Sequence, residues 1–158
     1  MLVVGVAVGY SVSGRNSAQV TELQDRVDHL NQLMALSLLQ QQSAFTRLEG
    51  VAWAYRVEHS DSDVLNALMH TVNNDPSVDV RLAAVDALRQ FADNTSTRRE
   101  LVQSLPRQTS PLMQIALIDL LVELREPSAA PQLERLIQEP ALDQNVQRRA
   151  RLALHRLE

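Results

Sequence analysis

Along the C-terminal two thirds of the chain, apolar positions recur with a helical period, and the pattern itself returns every 33 residues. The copies are Val80-Arg81-Leu82-Ala83-Ala84-Val85-Asp86-Ala87-Leu88, Met113-Gln114-Ile115-Ala116-Leu117-Ile118-Asp119-Leu120-Leu121 and Val146-Gln147-Arg148-Arg149-Ala150-Arg151-Leu152-Ala153-Leu154. In each, steps of four and then three residues build one apolar stripe. The stripes are Val80, Ala84, Leu88 and Phe91; Met113, Leu117, Leu121 and Leu124; and Val146, Ala150, Leu154 and Leu157. Small residues at Ala83, Ala87, Ala116 and Ala153 let neighbouring helices approach. A fixed period in this range marks stacked repeats. Between the copies, second helices are expected over residues 64–72, 98–105 and 131–138. Their core residues are Leu65, Leu68 and Val72; Leu101 and Leu105; and Leu133, Leu136 and Ile137. The pattern predicts an all-α fold, a short α-solenoid of antiparallel helix pairs over residues 43–158, preceded by a long helix.

Turn signals support these boundaries. Asp75-Pro76-Ser77, Thr109-Ser110-Pro111 and Glu139-Pro140 each precede a copy. Ser110 followed by Pro111 reads as an N-cap with proline at the first helical position. Thr97-Arg98-Arg99-Glu100 fits a capping box, and Asp61, Ser62 and Asp63 offer cap oxygens for a helix near Val64. A degenerate copy covers residues 44–57, with Trp53 and Tyr55 where the others hold Ala or Leu.

Upstream, Val20, Leu23, Val27, Leu30 and Met34 fall at a, d, a, d and a of a heptad within an amphipathic helix over residues 17–42. Ser37 and Gln41 continue the register but break the apolar seam. Two functions compete for it: a dimerising stalk that makes a homodimer through residues 20–34, and an amphipathic helix packed on its own domain. The tract Leu33-Met34-Ala35-Leu36-Ser37-Leu38-Leu39 is apolar on too many faces for a free stalk, so its lower end is expected to dock. Ser13-Gly14-Arg15-Asn16-Ser17 reads as a breaker.

Residues 1–13 form an uncharged apolar segment. As a helix, its run over residues 2–12 would be roughly 17 Å long, against the roughly 30 Å of a bilayer core. It is therefore read as the distal part of a transmembrane helix that begins upstream. A signal-peptide core and a buried terminal segment are the alternatives. Gly5, Gly9 and Ser13 share one helix face, as small residues do in packed membrane helices. Arg15 is the first charge.

Composition narrows the function classes. The 158 residues include no cysteine, which removes disulfides, thiolate metal sites and a cysteine nucleophile. All 15 basic residues are arginine, so Schiff-base and P-loop chemistry are excluded. The net charge of -4 argues against nucleic acid as a general partner.

The run Asp75-Pro76-Ser77-Val78-Asp79-Val80-Arg81-Leu82-Ala83-Ala84-Val85-Asp86-Ala87-Leu88, followed by a short loop and an apolar second helix, resembles the HEAT repeat, in its short form of about 30 residues known from the phycobilisome-lyase-like group. The resemblance covers residues 44–158. The whole chain is similar to bacterial single-pass membrane proteins of the anti-sigma-factor type with an extracytoplasmic HEAT domain. That likeness rests on the apolar lead, Ala35-Leu36-Ser37-Leu38-Leu39-Gln40-Gln41, Arg47-Leu48-Glu49-Gly50-Val51 and Trp53-Ala54-Tyr55-Arg56-Val57. It implies a non-enzymatic protein–protein interaction scaffold, tethered to a membrane and linked to envelope signalling. A soluble cytoplasmic domain is the alternative location.

Site chemistry is sparse. His29, His59, His70 and His155 sit in different elements, and no two of them stand at the spacing of a helical metal site. Glu58-His59-Ser60-Asp61-Ser62-Asp63 lacks the glycine and distal glutamate of a calcium loop. No cofactor, metal or catalytic residue is assigned. Asn94-Thr95-Ser96 matches a glycosylation sequon. The candidate protein-binding face comprises the outward residues of the second helices: Asn66, His70 and Asn73; Arg99 and Gln103; Glu134, Arg135 and Gln138. A candidate basic patch comprises Arg148, Arg149, Arg151 and Arg156, the basis of an alternative nucleic-acid-binding reading. A third reading, an accessory or lyase-like role, has no residue constellation behind it.

Overall fold

The computed structural model describes residues 4–57 and 62–157, with side chains from residue 19 onward. Glu58, His59, Ser60 and Asp61, and the side chains of Gly5, Gly9 and Ser13 with the rest of the apolar lead, lie outside the description. The described residues form eight α-helices and no strand: α1 Val4–Leu39, α2 Ala44–Ala54, α3 Ser62–Asn74, α4 Val78–Arg89, α5 Thr95–Ser104, α6 Pro111–Glu123, α7 Ala130–Ile137 and α8 Gln144–Leu157. Single 3-10 turns follow α5 at Leu105–Arg107 and precede α7 at Pro127–Ala129.

The helices stack in two layers. In one, α2 packs on α4, α4 on α6 and α6 on α8. In the other, α1 packs on α3 and α3 on α5, and α5 and α7 meet through the two 3-10 turns. Hairpin partners α1 and α2, α3 and α4, α5 and α6, and α7 and α8 join the layers. The nonapeptides build the first layer, and their stripes enter the common core. Val80, Ala84, Leu88, Met113, Leu117, Leu121, Val146 and Ala150 are all fully buried. Leu124, Leu154 and Leu157 sit half-buried at its margin. From the second layer come Leu68, Leu101 and Leu133, each at full burial.

The lower end of α1 belongs to this second layer. Ala35, Leu68 and Leu101 follow one another at 33-residue steps, as do Leu39, Val72 and Leu105, and all six are buried. The repeat therefore begins inside α1, whose last turns pack as the partner of α2. The breaker expected at residues 13–17 is absent: α1 runs through it without interruption. One interior glycine costs a helix about 1 kcal/mol. Propagation over 36 residues absorbs that.

Caps set the helix starts. Ser43 and Ser77 accept from the backbone N–H three residues on. Asp143 Oδ1 accepts from Asn145 N at 2.8 Å and Val146 N at 3.3 Å. The capping box expected at Thr97 is replaced by an earlier cap. Asn94 Oδ1 accepts from Ser96 N and Thr97 N, and α5 begins at Thr95. Asn outranks Thr as an N-cap, and Thr97 is buried in the first turn. The sequon asparagine is thus engaged in capping. Ser110 occupies its expected N-cap position before Pro111, with no side-chain cap bond.

Four residues past each first-layer cap stands a polar side chain: Arg47, Arg81, Gln114 and Gln147. Each reaches into an inter-helix turn. Arg47 grips Asp75 with two bonds of 2.6 and 2.9 Å and also donates to the Gln41 and Gln42 carbonyls. One repeat on, Arg81 donates to Gln108 Oε1, and Gln108 in turn donates to Val72 O at 3.2 Å. Gln114 closes back on Gln108 O at 2.9 Å. The hydrogen bond and charge of Asp75 raise the Arg47 pKa above its ordinary value. The Arg47–Asp75, Arg81–Gln108 and Gln108–Val72 bonds each join one repeat to the next and so help fix their register, whereas Gln114 and Gln147 close the turn of their own hairpin.

The end of α6 is closed by a Schellman arrangement. Arg125 N donates to Val122 O and Glu126 N to Leu121 O, both at 3.0 Å. Arg125 takes φ 49° there, the left-handed region that suits glycine. Arg125→Gly is expected to raise unfolding stability by about 0.5–1 kcal/mol, relief of left-handed strain exceeding the added chain entropy. A denaturant midpoint equal to or below that of the parent chain would refute this.

Candidate functional site

The two layers present different surfaces. Along the outer face of the first layer, polar groups bond to one another across repeats. The Tyr55 hydroxyl donates to Asp86, Arg89 pairs with Asp86 and with Glu123, and Arg149 pairs with Asp119. Asp86 and Asp119 occupy the same place in successive nonapeptides. Partial burial, aided by the Asp86 carboxylate, pushes the Tyr55 phenol well above its ordinary pKa, so it remains a donor. These pairs link α2 to α4, α4 to α6 and α6 to α8 along the face.

The second layer is the opposite case. Asn66, His70, Arg99, Gln103, Glu134, Arg135 and Gln138 are exposed, and their side chains bond no other group among the described residues. They stand in rows set by the repeat: Asn66 beside Arg99 at a 33-residue step, then His70, Gln103 and Arg135 at steps of 33 and 32. Asn73 is set apart from this group. It is half-buried, and its amide nitrogen donates to Met69 O of its own helix at 3.0 Å. The rows offer amide, imidazole, guanidinium and carboxylate groups, without an aromatic anchor.

The four arginines of the candidate basic patch do not act as one group. At roughly 100° per residue, Arg149 and Arg156 lie on the α6 side of α8 and Arg151 on the other. Arg149 is held by Asp119, whose hydrogen bond and charge raise its pKa. Arg148 donates to Asn145 at 2.8 Å. A cleft of about 250 Å³ between α6 and α8 is lined by Asp119, Glu123, Arg149, Leu152 and Arg156, mixing both signs of charge.

Among the described residues, no three His, Asp or Glu side chains converge on a point that could hold a metal. His29, His70 and His155 are exposed and far apart in the chain. Among the described residues, no helix is long and apolar enough to cross a membrane. Although α1 has the length, it carries Arg15, Glu22, Asp25, Arg26 and Asp28.

Two features escaped sequence reasoning. One is the internal pairing of the first-layer face, whose partners lie 30 to 34 residues apart. The shared spacing of Asp86 and Asp119 was its one available signal. The other is the close approach of α2 to the end of α1 at Gly50, where a Cβ would stand 2.7 Å from Leu39 N.

A family model for HEAT repeats matches residues 65–155. No curated protein and no solved structure matches the chain.

Proposed function

Since the chain belongs to the HEAT-repeat family, a family of protein-binding scaffolds, we propose that its second layer is the surface that receives a partner protein. The observation that carries this is the contrast between the layers. First-layer Tyr55, Asp86, Arg89, Glu123, Asp119 and Arg149 pair with one another across repeats, whereas the side chains of Asn66, His70, Arg99, Gln103, Glu134, Arg135 and Gln138 bond no other group among the described residues. Exposed donors and acceptors in fixed rows suit an extended polypeptide segment whose side chains repeat along its length. The lack of aromatic anchors sets a modest affinity, because strong hot spots draw on Trp and Tyr.

The same reading divides the chain into an apolar tether over residues 1–13, a connecting helix over residues 17–42 whose last turns already belong to the stack, and a scaffold over residues 43–158. The tether would hold the scaffold at a membrane, on its extracytoplasmic side, in envelope signalling or anti-sigma-type regulation. A second copy is among the partners it allows, through residues 20–34.

Reversing charge at Arg99 and Arg135 together (R99E, R135E) is expected to abolish capture of partner proteins by cross-linking. The helical content and melting of the chain should be unchanged, because both side chains are exposed. Undiminished capture by this double variant would sink the second-layer assignment. Fractionation of the native gene product tests the tether, and recovery wholly in the soluble fraction would remove it.

A further inference from the structure

We infer that α1 pairs with the α1 of a second copy as a parallel, in-register two-stranded coiled coil. The seam is Val20, Leu23, Val27, Leu30 and Met34. These residues are 54%, 61%, 57%, 60% and 41% exposed, an apolar stripe left open among the described residues with Arg56 along one edge.

The stripe is distinct from the face by which α1 docks on its own domain. That face carries Asp28, Ala35 and Leu39, all buried. At 100° per residue the two faces point roughly 120° apart around the helix. Docking is therefore complete without the seam, and the seam remains open while α1 is held. Asn31 fastens the flank, its amide donating to Arg56 O at 3.2 Å.

The residue types select the occupant. Valine at a and leucine at d is the combination that favours two parallel strands. The flanks carry little charge: Gln19 and Arg26 at g, Gln24 and Asn31 at e. In a parallel pair each g residue meets the e residue five places on in its partner. Gln19 then faces Gln24, where each amide both donates and accepts, and Arg26 faces Asn31, whose amide oxygen is free to accept. No like charges meet, and Arg26 is already neutralised by Glu22 of its own helix at 2.6 Å. A foreign helix would find no charge pattern by which to be chosen, whereas the chain's own α1 is complementary at every flanking position. Leu33, 51% exposed, widens the stripe. The stripe spans only two heptads, a small interface, so the pairing is a reversible one. It would set two second-layer faces side by side with the same polarity, so that a partner with two sites would gain by effective concentration.

The chain has no cysteine, so one introduced thiol reports orientation cleanly. Sedimentation of the full chain should show a concentration-dependent dimer. V20C and L30C, each alone, should form a covalent dimer on mild oxidation, since an in-register parallel pair places every seam residue against its own copy. V27D should sediment as a monomer with its helical signal and melting unaltered, because Val27 is exposed in the single chain. A monomer at every concentration, or a dimer that V27D leaves intact, would overturn the inference. A dimer that neither V20C nor L30C cross-links would be antiparallel and would equally overturn it. Partner capture by a monomeric V27D chain keeps the fate of the second-layer proposal separate.

Discussion

Leu121→Ala is expected to lower unfolding stability by roughly 2–5 kcal/mol. Leu121 is fully buried in α6, the helix that joins α4 to α8. It stands at the same place in its nonapeptide as Leu88 in the first and Leu154 in the third. Truncation removes the transfer free energy of the lost methyl groups and leaves a cavity that a stack of short helices can only partly close. In a stacked protein each repeat is held by its neighbours, so a gap in α6 weakens the layer on both sides. For a chain of this size the loss corresponds to a fall in melting temperature of about 4–20 °C. Leu112→Ala, on the same helix but 62% exposed, should change stability by no more than about 0.5 kcal/mol. Equal effects of the two substitutions in a denaturant titration would show that the apolar stripe of α6 does not face the core.

Much of this fold could be read from spacing alone because its cause is local. Val80, Met113 and Val146 are buried for the same reason, and a helical period states that reason within a few residues of chain. The second-layer core was legible in the same way through Leu68, Leu101 and Leu133. Ala35 was harder. It is small, it lies in a tract that also satisfies a heptad, and its equivalence to Leu68 appears only when the 33-residue step is carried backward past the expected boundary. Asn94 shows a different limit. Thr97 with Glu100 made a sound capping box on paper, but a better cap stood three residues earlier and burial claimed the threonine. The candidate surface was legible as exposed positions and no further. That Arg149 is held by Asp119, while Arg99 pairs with no group among the described residues, depends on which helices become neighbours. Charge counts along the chain carry no such information.

Gly50 marks the least legible contact and the second large effect. It lies in the middle of α2, where glycine is a poor helix former. A Cβ built there would stand 2.7 Å from Leu39 N and 3.0 Å from Leu38 C, both backbone atoms of α1. Neither is the end of a flexible side chain that could turn aside, so the last turn of α1 must move away from α2. Gly50→Ala would gain up to about 1 kcal/mol in helix propensity. Against this, overpacking in a closed site costs about 1–3 kcal/mol and at times more, and displacement of α1 also uncovers Ala35 and Leu39. The clash wins, because it is against backbone and the retreat costs core burial. The expected result is net destabilisation centred on the α1–α2 pair: faster amide exchange over residues 33–42, a weakened Asn31–Arg56 contact, and a melting transition that begins earlier. The stack from α4 to α8 should hold its protection, since it makes its own contacts. An alanine variant that melts at or above the parent temperature, with α1 amides still protected, would mean that α1 does not close on α2 as described. The repeat would then begin at α2.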